Sequence, residues 1–81
     1  MRRLTREQRA SLGDALTDRY VDWREECFAV SAAYQRWSEA DIDDRADAFA
    51  AYSAALDREE RACDIYAEVV RNVRRTASAS A

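Results

Sequence analysis

Between residues 16 and 37, Leu16, Tyr20, Trp23, Cys27, Val30, Tyr34 and Trp37 recur at alternating spacings of four and three. The same rhythm runs through Phe49, Tyr52, Leu56, Cys63, Tyr66, Val70 and Val73, interrupted once by Glu59. Such spacing stacks side chains on one face of a helix, so each stretch predicts an amphipathic helix with a heptad-like apolar stripe.

Two start signals punctuate the pattern. Thr5-Arg6-Glu7-Gln8 fits a capping box, with Thr5 at the N-cap and Gln8 three positions into the helix. Ser38-Glu39-Ala40-Asp41 has a similar form, flanked by Trp37 and Ile42 in the positions of a hydrophobic staple. Asp41, Asp43 and Asp44 then supply the negative charge that a helix N-terminus favours. These signals predict helix 1 over about 5–36 and helix 2 over about 39–75, one domain of residues 1–75, and a flexible Ala/Ser tail over 76–81. The expected fold class is all-α, an antiparallel two-helix hairpin that dimerises into a four-helix bundle. A single long bent helix is the alternative, because neither Gly nor Pro marks the turn.

Closing the chain so that Trp37 meets Ile42 sets a register. Val30 then faces Phe49, Cys27 faces Tyr52, Trp23 faces Leu56, Tyr20 faces Glu59, and Gly13 lies opposite Tyr66. In that register Gly13, costly inside a helix, makes room for the tyrosine ring. Cys27 and Cys63 are then offset by about 11 residues, or roughly 16 Å of helix rise. A disulfide requires Cα atoms within about 7 Å, so two free thiols are expected.

Composition narrows the class further. One Gly and no Pro in 81 residues argue against a β-sheet domain, whose turns draw on both. Two helices bury one seam, yet Val21 and Phe28 on helix 1 and Ile65 and Val69 on helix 2 widen or leave the stripes. These four are the candidate interface residues. A homodimer or other homo-oligomer is the expected use for them, with a foreign helix as the second possibility.

The net charge is −3, from 16 acids and 13 bases, and every base is Arg. In an antiparallel hairpin, Arg2, Arg3, Arg6 and Arg9 share a basic end with Arg71, Arg74 and Arg75. Asp14, Asp18, Asp22 and Glu25 form an acidic ridge along helix 1, about one turn apart. A net acidic chain without a nucleic-acid-binding motif argues against DNA or RNA as partner.

The absence of His removes catalytic triads and Cys–His pairs. One Gly cannot build a phosphate loop, and two Cys fall short of the four ligands of a structural zinc site. No catalytic, cofactor-binding or metal residue is predicted, and the protein is read as non-enzymatic. No apolar run nears the ~20 residues of a membrane span. The start of the chain is basic and then polar, unlike a signal peptide. A cytoplasmic location is therefore expected.

Trp37-Ser38-Glu39 at the bend resembles the Trp-x-Gly turn of the small helical-hairpin WXG proteins exported by Gram-positive bacteria. Here Glu39 stands in place of the glycine. The Tyr-x-x-x-Asp/Glu signal of that family is missing, since Val70 follows Tyr66 by four. The leading expectation is a protein–protein interaction or regulatory module that self-associates through a wide apolar face. The alternatives are a small acidic inhibitor or decoy, of the kind mobile elements encode, that binds a basic surface of its target, and a WXG-like secreted hairpin partner.

Overall fold

The structure is a computed structural model that describes residues 5–80. Among these residues there are two helices, α1 (Arg6–Glu39) and α2 (Arg45–Ser80), and no strand. The Thr5 capping box forms as the sequence predicts. The Gln8 amide N–H donates to Thr5 Oγ1 at 3.1 Å and the Thr5 N–H donates to Gln8 Oε1 at 2.9 Å.

The second start signal is not used. Ser38 lies inside the last turn of α1, where its hydroxyl donates to the Gln35 carbonyl at 2.8 Å. Ile42 is 80% exposed, and Trp37 packs instead on Phe49, at 5.1 Å between ring centroids. The chain leaves α1 through Ala40, an extended residue at φ −69° and ψ 140° whose N–H donates to the Trp37 carbonyl. A turn closes between Asp41 O and Asp44 N at 3.0 Å, and the Asp44 carbonyl accepts the Ala48 N–H at 2.9 Å. This reversal uses no positive φ among the described residues. Neither Gly nor Pro is therefore required. At the other end α2 runs on to Ser80, with the Thr76 hydroxyl donating to Asn72 O at 2.8 Å. Residues 76–80 are thus helical and not a separate tail.

Moving the turn shifts the register by one heptad. Facing residues now add to 86 rather than 79, as in Trp37–Phe49, Tyr34–Tyr52, Cys27–Glu59 and Tyr20–Tyr66. A shift of seven keeps both apolar stripes in the seam but changes every partner. Gly13 moves away from Tyr66 and lines a hollow with Leu12, Leu16, Val73 and Thr76. A Cβ built on Gly13 meets nothing within 4 Å, so no ring uses the space.

The seam contains two copies of one ring arrangement. Trp37 stacks on Tyr52 at 5.4 Å and 15°, while Tyr34 meets the same tyrosine edge-on at 5.7 Å. Two heptads along, Trp23 stacks on Tyr66 at 5.6 Å and 13°, with Tyr20 tilted against it at 5.6 Å. Aromatic pairs contribute about 0.5–1.5 kcal/mol each beyond the area they bury, so these two sets are the firmest ties between the helices. Near the turn the helices meet over the small residues Ala33 and Ala55, 2% and 0% exposed.

The result is a rod of 62 × 15 × 12 Å with a radius of gyration of 18.2 Å. A compact domain of this length would have a radius of gyration of roughly 12 Å.

Candidate functional site

The hairpin has two long edges, one on each side of the seam, and they differ in chemistry. One edge is charged. Its groove is lined by Arg19, Asp22, Glu25, Glu26, Arg58, Arg61, Ala62 and Ile65. Arg58 Nε reaches Glu26 Oε2 at 3.4 Å across the seam, and Arg19 pairs with Asp22 at 3.3 Å.

The other edge is lined by two rows that carry no charge. On α1, Tyr20, Cys27 and Tyr34 recur every seven residues, and on α2 so do Phe49, Leu56, Cys63 and Val70. In an antiparallel pair, rows lying to the same rotational side of the two central stripes fall along the same edge. Tyr20, Tyr34, Phe49 and Leu56 are all exposed there, and Cys27, Cys63 and Val70 are half-buried.

Glu59 sits at mid-seam between the two Trp–Tyr stacks. Its Oε1 accepts the Trp23 indole N–H at 2.7 Å and the Cys27 thiol at 4.0 Å. An apolar stripe tolerates this carboxylate because two donors from α1 converge on it. The structure replaces the expected Tyr20 partner with Trp23 and Cys27. The new register also brings Cys63 within about one turn of Cys27, in place of the eleven-residue offset. Both thiols are free. Burial pushes the Cys63 thiol above its ordinary value of 9.0, and Glu59, Asp64 and Cys27 each add in the same direction.

The four predicted interface residues do not form one surface. Ile65 lines the charged groove. Val69, one turn on, is half-buried. Val21 lies on a shallow depression beside Asp14, Asp18 and Asp22. Phe28 is 67% exposed on the side of α1 away from the seam, with the Arg24 guanidinium 5.5 Å above its ring. Asp14, Asp18, Asp22 and Glu25 are exposed on α1, and cations stand among them: Arg19 pairs with Asp22, and Arg58 and Arg61 share a groove with Glu25. Of the basic end, Arg6, Arg9, Arg71, Arg74 and Arg75 are exposed at the open end of the hairpin. Arg2 and Arg3 lie outside the described residues.

Sequence reasoning placed Tyr20, Tyr34, Phe49 and Leu56 in the seam, where Tyr20, Tyr34 and Phe49 do touch the facing helix, but it missed that these rows also keep an exposed side along this aromatic edge. Among the described residues no group of three or more His, Cys, Asp or Glu is placed to hold a metal ion, and no helix is long and apolar enough to cross a membrane. Comparison with protein-family models, with curated proteins and with solved structures finds no match for the chain.

Proposed function

We propose that this protein is a non-enzymatic interaction or regulatory module that self-associates through the aromatic edge of its hairpin, two copies closing a four-helix bundle. One observation carries the reading. Among the described residues no side chain larger than alanine is fully buried, and four of the eight exposed large apolar residues, Tyr20, Tyr34, Phe49 and Leu56, lie along this edge. A second layer of helices would supply the interior that one hairpin lacks.

The surface area points the same way. The chain exposes 6448 Å², whereas a compact monomer of 9.3 kDa exposes about 5,000 Å². The excess of about 1,500 Å² exceeds the roughly 800 Å² that each partner buries in a standard interface. Aromatic residues are also the side chains that anchor interfaces most strongly.

The test is the solution mass, by light scattering over a dilution series in reducing buffer. The expected value is twice the chain mass of 9.3 kDa. A mass that stays at one chain up to about 1 mM, equivalent to a binding free energy weaker than about −4 kcal/mol, refutes self-association.

A further inference from the structure

Beyond the apolar rows, the aromatic edge has an outer rim. On α1 the rim runs through Thr17, Arg24 and Ser31, and on α2 through Ser53, Glu60 and Ala67. Each residue is seven from the next, so each set forms one row on its helix. The α2 row continues to Arg74 at the open end, level with Ala10 of α1; otherwise the rims are small apart from Arg24 on α1 and Glu60 on α2. Arg24 and Glu60 are both exposed. Arg24 rests over the exposed Phe28 ring rather than on a carboxylate.

We propose that a second copy of this chain seats on the aromatic edge with the two-fold axis parallel to the helices, placing α1 of each copy against α2 of the other and Arg24 against Glu60. This geometry rests on the self-association proposed above and specifies how the copies meet.

The register supplies the reason. Within one hairpin, facing residues of α1 and α2 add to 86. A two-fold axis along the helices leaves heights unchanged, so the same rule holds between copies. Arg24 of one copy then lies within two residues, about 3 Å of rise, of the level of Glu60 in the other. Symmetry repeats the pair. Ser31 comes beside Ser53 and Thr17 beside Ala67, small against small, which allows the helices to approach closely. Every helix gains an antiparallel neighbour, as in up-down bundles. An axis perpendicular to the helices instead sets each rim row against its own copy, and the α1 row offers Arg24 no carboxylate.

The test is the dimer dissociation constant of charge variants, measured by sedimentation equilibrium, with helicity checked by circular dichroism. Arg24→Glu or Glu60→Arg turns two attractions into two repulsions. Because exposed pairs are individually weak but occur twice in the dimer, each single change is expected to weaken it about tenfold. The double exchange R24E/E60R is expected to return it to within about twofold of wild type. A dimeric wild type with unaffected single variants overturns this geometry while leaving self-association standing. A monomeric wild type removes both.

Cross-linking provides an independent reading. Mixed Ser31→Cys and Ser53→Cys proteins, oxidised with copper phenanthroline and digested for mass spectrometry, are expected to yield a 31–53 link between chains. Dominant 31–31 links overturn the parallel axis.

Discussion

Glu59 offers the sharpest test of the seam. Its carboxylate is half-buried and accepts from the Trp23 indole at 2.7 Å and the Cys27 thiol at 4.0 Å. Truncation by Glu59→Ala leaves the indole N–H without its acceptor inside an aromatic layer. A hydrogen bond to a charged group contributes about 1.5–3 kcal/mol when desolvated, and partial exposure places Glu59 towards the lower part of that range. Glu59→Ala is therefore expected to cost about 1–2 kcal/mol, a fall in Tm of about 5–12 °C for a chain of this size. Glu59→Gln keeps an oxygen acceptor while losing the charge, and about half the loss is expected. The assay is thermal and urea unfolding followed by circular dichroism at one fixed protein concentration, because self-association would make Tm concentration-dependent. Trp23 emission, isolated in a Trp37→Phe background, should shift with Glu59→Ala. Stabilities of both variants within about 0.3 kcal/mol of wild type, well below the value of such a bond, would refute the assignment of Glu59 as a seam acceptor.

Three further outcomes follow from the packing of the hairpin. Gly13→Ala places a Cβ in open space within a helix and is expected to stabilise the protein by about 0.8–1 kcal/mol; a lowered Tm would count against an empty site. Ala55→Leu forces bulk into a position that is 0% exposed, and a loss of about 1–3 kcal/mol in urea unfolding is expected, whereas the exposed neighbour Ala54→Leu should be nearly silent. The raised Cys63 pKa favours the neutral thiol in the folded state, so its contribution is complete below the unfolded thiol's pKa and is lost as pH rises through the folded one. Wild-type stability should thus decline more steeply above about pH 9 than that of Cys63→Ser, and superimposable pH profiles would exclude this linkage.

Much of the hairpin was legible from periodicity. Both stripes lie where three-and-four spacing puts them, and the Thr5 box forms because its two side chains satisfy one another locally. The turn was misplaced for a physical reason. Ser38 has the chemistry of an N-cap, but a serine inside a helix can donate backwards, and here it bonds the Gln35 carbonyl. Trp37 gains more from stacking on Tyr52 than from a staple with Ile42. The correct register was nonetheless written in the chain. Tyr20-x-x-Trp23 and Tyr34-x-x-Trp37 are fourteen residues apart, as are Tyr52 and Tyr66. Equal spacings on both helices let both Trp–Tyr stacks form at once, each pair adding to 89. The interface was harder to read. Apolar residues off a stripe, such as Phe28 and Ile65, do not reveal which edge of a hairpin they occupy until the facing helix is known.

The rod shape carries a consequence for how the molecule opens. Each aromatic layer touches only the layers before and after it, and the loop that a contact must close lengthens steadily away from the turn. Trp37 and Phe49 are twelve residues apart in sequence, Tyr20 and Tyr66 forty-six. Closing the first costs the least chain entropy, and each later layer is added to one already in place. The seam therefore behaves as a zipper hinged at Ala40–Asp44. Amide hydrogen exchange should be slowest around Trp37 and Tyr52 and quicken layer by layer towards Leu12 and Val73. Damage to a layer near the open end would shorten the closed length and spare the hinge, whereas the same damage beside the turn would leave the remaining layers nothing to build on.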